Sequence, residues 1–423
     1  MASALPRTIV LLAPSLLLQV PSCLLLLAPQ PFYLHTCLST YTTSPHNGTN
    51  MGTTSPKSPK SPKSKEASSS PPPDASGPGP APLSIEEQEA AGLLPASHWQ
   101  QQAFAEDPED DGASTISSFA STTASLSSSI YHYRTIHGRT YHGDIGNAES
   151  WQPNDQRHVE AMEIGHHALM VQLDGKLFLS PLDKKKVQKV LDIATGSGLW
   201  AIDFADEFPN AEVIGTDVSP IQPSWVPPNV KFELEDCNSD WTYADDSFDF
   251  IHMRALAGIV DDWYKIFRNA FRCCKPGGYV ESMGTSINVL SDDGSVKPGS
   301  AMDQWGKVFE EGGKQLGRVF TVYEDDLQRK GMEAAGFVDI EFKDIQCPVG
   351  VWHPEKKAAE RGLWYKLATE ADMEGYLNYI FNLVMGWTPE ETKTFAAQAK
   401  KDLNNPGIHS YFWFRVVYGR KPE

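Results

Sequence analysis

Val190-Leu191-Asp192-Ile193-Ala194-Thr195-Gly196-Ser197-Gly198-Leu199-Trp200 reads as a buried strand, a glycine turn and the start of a helix. Gly196 and Gly198 allow the backbone to approach a ligand where a Cβ would collide. The new helix presents unpaired N–H groups toward the same place. Taken alone the stretch is ambiguous. Gly196 to Ala201 satisfies the GxGxxA dinucleotide fingerprint, and Asp217 ends the next strand where a ribose-binding acid is expected. A nicotinamide- or flavin-dependent oxidoreductase is therefore an open alternative at this point.

Working outward, strand-like and helical runs alternate. Helical spacing covers Asn154–Leu173, with Val159, Met162, Leu169 and Met170 on one side. Strands are expected at 187–194, 211–217, 230–234, 248–253 and 278–283. Helices are expected at 199–207 and 261–274, the latter with Trp263, Ile266, Phe267, Ala270 and Phe271 at helical spacing. Further helices fall near 301–316 and 324–335, a strand at 337–345, a helical insert at about 354–403, and a closing strand at 409–418. This alternation predicts an α/β fold, Rossmann-like, with a doubly wound, mostly parallel sheet of seven strands. The C-terminal helical insert is expected over the mouth of the sheet, where ligands of open α/β sheets bind.

Three features turn the reading from a dinucleotide to S-adenosylmethionine. Asp192, at the strand end before the glycines, suits the cationic amino-acid end of that cofactor and would repel a pyrophosphate. Asp236, after Phe232–Glu235, is placed to accept from an adenine amino group. Lys275-Pro276-Gly277-Gly278-Tyr279-Val280-Glu281 is a turn into a strand of the kind frequent in methyltransferases. The expected cofactor-binding residues are thus Asp192, Ala194, Gly196, Gly198, Asp217 with Val218 beside it, and Asp236 with Cys237 beside it. Asp217 and Asp236 also read as plain strand-end acids, and Asp192 as a helix cap. Methyl transfer is an in-line displacement for which the protein chiefly aligns the reactants, with a general base when the nucleophile is a hydroxyl. His252, after the strand 248–253, is the first choice for that base, with a structural strand-end histidine as the competing reading. No Asn-Pro-Pro-Tyr-type motif follows that strand, which disfavours N-methylation of nucleic acid or glutamine.

From about 130 to 420 the chain resembles the fungal LaeA-like methyltransferases. The resemblance rests on Arg139-Thr140-Tyr141-His142-Gly143, on Asp192 to Trp200, and on the proline-rich Gly215-Thr216-Asp217-Val218-Ser219-Pro220-Ile221-Gln222-Pro223. It continues through Trp225-Val226-Pro227-Pro228-Asn229-Val230, Phe248-Asp249-Phe250-Ile251-His252-Met253-Arg254 and Tyr418-Gly419-Arg420-Lys421-Pro422. One departure is Ala194, where many methyltransferases carry glycine. The resemblance implies a class I methyltransferase fold, S-adenosylmethionine as cofactor and a link to fungal secondary metabolism. Some members look like pathway enzymes and others like global regulators working with velvet-type protein partners, so a weakly catalytic or non-catalytic subunit of a nuclear complex is the alternative role. Tyr141 and His142, in the family-like segment, are further catalytic candidates that would close over the cofactor, and Arg139 would meet a carboxylate. The acceptor is a small molecule or a protein.

Composition bounds the rest. The 423 residues carry a formal net charge of −18, which argues against a grip on nucleic-acid phosphates. The cysteines, Cys23, Cys37, Cys237, Cys273, Cys274 and Cys347, form no CxxC pair, so neither a metal site nor a disulfide framework is indicated. Reduced thiols fit the cytoplasm or nucleus. The apolar run 9–28, broken by Pro14, Gln19 and Pro21, leaves a signal peptide, a membrane anchor and a misassigned start all open; the Asn47-Gly48-Thr49 sequon matters only for the first. Residues 39–83 are rich in Ser, Thr, Pro and Lys, with Ser-Pro-Lys at 55–57, 58–60 and 61–63, suited to phosphorylation or a basic nuclear address. Residues 1–128 are expected to be a mostly disordered tail and 129–423 the methyltransferase domain.

Overall fold

A computed structural model describes residues 81–106, 133–143 and 150–423. The apolar run 9–28, the sequon and the Ser-Pro-Lys repeats lie outside the described residues. Among those described, no helix is long and apolar enough to cross a membrane.

The chain order is α1 (Ile85–Ala90), α2 (Ala96–Glu106), a hairpin of β1 (Arg134–Ile136) and β2 (Arg139–Tyr141), then α3 (Gln156–Gln172), β3 (Lys189–Ile193), α4 (Leu199–Glu207), β4 (Glu212–Asp217) and β5 (Val230–Leu234). There follow β6 (Phe248–Arg254), α5 (Trp263–Cys273), β7 (Cys274–Thr285), α6 (Ala301–Leu316), α7 (Leu327–Ala335) and β8 (Val338–Pro348). The C-terminal insert is α8 (Lys356–Ala371), α9 (Met373–Asn378), a π-helical turn at Tyr379–Val384 and α10 (Pro389–Asn404), and β9 (Tyr411–Arg420) closes the chain.

The main sheet has seven strands in the order β5-β4-β3-β6-β7-β9-β8. Its neighbours from β5 to β7 are parallel, and β9 inserts antiparallel between β7 and β8. The central strands are apolar on both faces, as burial under helices on both sides demands. On one face Val190 and Phe250 pack under Trp200 and Phe204 of α4. On the other Leu191, Ile193, Ile251 and Met253 pack under Ile266, Phe267 and Ala270 of α5. The strand order reverses at β3, so the ends of β3, β4 and β6 frame the crevice that such sheets use for ligands.

The expected tail is partly structured. Helices α1 and α2 belong to the folded body, so the expectation of disorder through residue 128 fails for them. Ser84 and Glu87 form a capping box at the start of α1. Gln88 donates to the Met385 carbonyl at 2.9 Å and accepts from Trp387 Nε1 at 3.1 Å. Trp99 of α2 is buried edge-on against Phe395 of α10, with ring centroids 4.9 Å apart. The segment reads as a tail because Ser-, Thr- and Pro-rich stretches flank it on both sides. A handful of anchors placed on distant helices suffices to order it.

Candidate active site

The glycine turn is built by backbone conformation more than by side chains. Ala194, Gly196 and Gly198 all have positive φ, at 50°, 60° and 80°. Glycine is the residue that adopts this region freely, so the departure at Ala194 leaves a strained alanine, costing about 1–2 kcal/mol. Gly196 opens onto the crevice, and a Cβ there would meet only Met162 Sδ, at 3.4 Å. Gly198 serves another purpose than the one expected of it. It does not border the cavity, and a Cβ there would lie 2.4 Å from Phe232 Cζ, so it is glycine because the β5 phenyl ring packs onto it.

Asp217 sits at the end of β4, half-buried at the cavity wall. Its carboxylate accepts from Gly196 N at 2.8 Å and Ser219 N at 3.0 Å. Burial pushes its carboxyl up to about 6, against the pull of those backbone donors. The following proline-rich loop is tied back by Gln222, which donates to the carbonyls of Gly196 (2.7 Å) and Ser219 (3.1 Å). Asp236 caps its own turn through Asn238 N and Ser239 Oγ, beside Cys237 and Glu235.

These residues form one end of a cavity of about 370 Å³ at the carboxyl edge of the sheet. Ala194 to Ser197, Asp217 to Ser219, Ile221 and Glu235 to Asn238 supply that end. The other end is aromatic, with Trp151, Trp305, Phe309, Phe320, Phe412 and Phe414. Tyr365 and Thr369 of α8 and Tyr376 of α9 also border it, so the C-terminal insert does cover the mouth of the sheet.

Asp192 and His252 stand apart from the cavity. They are register partners on β3 and β6, both buried, with Asp192 Oδ1 2.7 Å from His252 Nδ1. The second Asp192 oxygen accepts from Thr195 Oγ1 at 2.5 Å. The His252 ring stacks flat on Trp200, centroids 3.7 Å apart and planes 3° off parallel. Neither borders the cavity; they form a polar pin between strands and helix α4. The physical reason is strand periodicity. His252 shares its face with Arg254, two residues on, and only Arg254 clears the strand end and borders the cavity. Arg254 Nη1 donates to His166 Nδ1 at 3.0 Å, so His166 is neutral and gives its Nε2 proton to Asp203 Oδ2 at 2.8 Å. Burial holds the His166 pKa below its ordinary value, the direction that keeps it neutral.

Tyr141 and His142 do not border the cavity either. Tyr141 is fully buried against Tyr379, and His142 Nδ1 lies 3.5 Å from Ser219 Oγ, behind the loop that follows β4. Arg139 meets two carboxylates of its own chain, Asp155 and Asp372. Glu281 accepts from Leu179 N, Ser180 N and Ser180 Oγ, anchoring the segment before β3.

Residues 164–341 match the sequence profile of a family described as a methyltransferase domain. The chain is 35% identical over 304 residues to Methyltransferase pytC of Aspergillus terreus, covering 71% of this chain and 92% of that protein. It is 34% identical to the probable methyltransferase tdiE of Emericella nidulans, over 64% of this chain and 84% of that protein. It belongs to the fungal LaeA-like family of S-adenosylmethionine-dependent methyltransferases. It is 30% identical to the secondary metabolism regulator laeA of Aspergillus fumigatus, over 71% of this chain and 80% of that protein. The family places the chain as a methyltransferase in, or regulating, fungal secondary metabolism, which sets the oxidoreductase alternative aside.

The residues at the polar end fit the cofactor. The turn 194–197 presents backbone without bulk, Asp217 offers a carboxylate at a strand end, and Arg254 is a cation whose hydrogen bond goes to a neutral histidine.

Proposed function

We propose that this protein methylates a small, largely apolar acceptor held in the aromatic end of the cavity. The observation that carries the reading is the continuity of that aromatic chamber with the glycine-turn end beneath α8 and α9. Pockets lined by aromatic side chains, with few polar groups, suit small molecules. In this reading Asp217 accepts from ribose hydroxyls, Val218, Asp236 and Cys237 border the adenine, and Ala194 and Gly196 pass close to the cofactor backbone-first. Arg254, supported by His166, meets the carboxylate of the methionyl end. Bound there, S-adenosylmethionine supplies a methyl group on a sulfonium already activated for displacement. The protein's share is alignment and exclusion of water.

A second reading, a regulator that methylates protein or acts without transfer, draws support from the relatives named as secondary metabolism regulators. Incubation of the full chain with methyl-labelled S-adenosylmethionine and fungal extract separates the two. Label is expected in the apolar small-molecule fraction, and in Gly196→Asp it should fall by more than about a thousandfold, because a carboxylate would fill the open face of the turn and face Asp217. Label confined to protein would establish the second reading instead.

A further inference from the structure

We propose that His158, oriented by Asp372, accepts the proton of a hydroxyl group on the acceptor. The inference rests on the small-molecule reading and adds the nucleophile, which is oxygen. His158 lies in the first turn of α3, is buried, and borders the cavity. Its Nδ1 stands 2.8 Å from Asp372 Oδ2. Asp372, buried at the junction of α8 and α9, also accepts from Arg139 at 2.7 and 2.9 Å and lies 3.2 Å from Arg157 Nε. Burial raises the Asp372 carboxyl, but hydrogen bonds from His158 and Arg139 outweigh this and hold it below its ordinary range. A carboxylate at Nδ1 fixes the proton there and leaves Nε2 as a lone-pair acceptor. That Nε2 is buried and has no hydrogen-bond partner among the described residues.

A buried, acceptor-only nitrogen on a residue that borders the cavity calls for a donor, and a hydroxyl is one. His252 Nε2 is also unpartnered among the described residues, but His252 does not border the cavity. The other histidine on the wall, His166, has both nitrogens engaged by Arg254 and Asp203. The remaining charged or titratable neighbours of the dyad among the described residues are Tyr376, whose ring meets His158 edge-on at 5.1 Å, Tyr141, whose hydroxyl feels the Asp372 charge, Asp155 on Arg139, and Glu374 on Arg157. In the step, the acceptor hydroxyl gives its proton to His158 Nε2 and its oxygen bonds to the methyl carbon. The electron pair of the broken carbon–sulfur bond stays on sulfur. His158 is left as an imidazolium held by ionised Asp372, and later returns the proton to water.

The test uses the full chain, wild type and His158→Asn, His158→Gln and Asp372→Asn, with three readouts. Nitrogen NMR of the imidazole should show Nδ1 protonated and Nε2 bare near pH 7. With S-adenosylhomocysteine present, 4-nitrophenol should show its phenolate band at a pH about one unit lower in wild type than in His158→Asn. Methyl transfer to phenols of graded acidity should fall about a hundredfold or more in both His158 variants at pH 7, with the deficit shrinking as pH approaches the phenol's own pKa. Asp372→Asn should lose about tenfold in kcat with KM held. Calorimetric binding of S-adenosylhomocysteine should stay within about twofold in all variants. A protonated Nε2 in wild type, or a His158→Asn deficit that does not change with pH, overturns the proposal. If the first two signals are present but wild type methylates no phenol, it is the small-molecule acceptor reading that fails and the dyad that stands.

Discussion

The two ends of the cavity are built differently. The glycine-turn end comes from short spans at successive strand ends: Ala194 to Ser197, Asp217 to Ser219 with Ile221, and Glu235 to Asn238. The aromatic end is assembled from segments far apart in sequence, Trp151 before the sheet, Trp305 and Phe309 on α6, Tyr365 on α8 and Phe412 on β9. A local wall is fixed once its strands pair, whereas a distributed wall depends on every helix that holds its parts in place. In the proposed reading the local end takes the cofactor and the distributed end the acceptor.

The largest expected effect probes that dependence at a distance. Trp99 touches neither end, yet it packs on Phe395 of α10, and the nearby Leu94 N donates to Gln304 Oε1 of α6 at 2.8 Å. Trp99→Ala should destabilise the protein by about 3–5 kcal/mol, as loss of a buried tryptophan does, read by denaturant unfolding. At temperatures where the variant is still folded, binding of S-adenosylhomocysteine should persist while acceptor turnover falls. Equal loss of both would show that the two ends are one cooperative unit and break the comparison.

A smaller effect sharpens the picture of the local end. Burial holds the Asp217 carboxyl up at about 6, above its unfolded value near 4. The free fold therefore prefers Asp217 protonated, and its contribution to stability is present at low pH and lost as pH rises from about 4 to about 6. Cofactor hydroxyls need the ionised form. Affinity for S-adenosylhomocysteine should fall about tenfold per unit as pH drops below about 6, and level off above 7. Asp217→Asn should bind about tenfold more weakly at pH 7.5, with a flat profile. A wild-type profile flat from pH 5 to 8 would remove Asp217 from the cofactor site.

What could be read from sequence follows the same division. The strands, the mostly parallel seven-stranded sheet of the α/β body, and the strand-end positions of Asp217 and Asp236 all follow from local patterns of apolar residues, glycines and strand-end acids. His252 shows where such reading stops. Sequence places it near a strand end, but only the structure tells that its ring lies under Trp200 and that Arg254, one pleat further, reaches the cavity. Asp192 likewise stands off the cavity wall, because its carboxylate is engaged by His252 across the β3–β6 register. His158 and Asp372 carry no local signal at all. They come together only when α8 packs along α3 and brings the α8–α9 junction to the first turn of α3. The ordering of α1 and α2 was equally hidden, because it depends on Gln88 and Trp99 finding α10 and its neighbours.

The smallest effect sits at Ala194, the one place where the local end departs from the pattern expected of it. Its φ of 50° puts an L side chain in the left-handed region, where the Cβ crowds the backbone. Ala194→Gly removes that crowding but also frees the unfolded chain, which costs the fold part of the gain. Relief of strain outweighs the added chain entropy at a left-handed position. The variant should therefore be more stable by about 0.5–1 kcal/mol, seen as a higher denaturant midpoint with an unchanged slope. Since Ala194 borders the cavity, removing its methyl should also leave cofactor binding equal or slightly tighter. Lower stability in Ala194→Gly would mean that the methyl packs against the turn strongly enough to outweigh its own strain. The alanine would then be an adaptation of this chain's glycine turn.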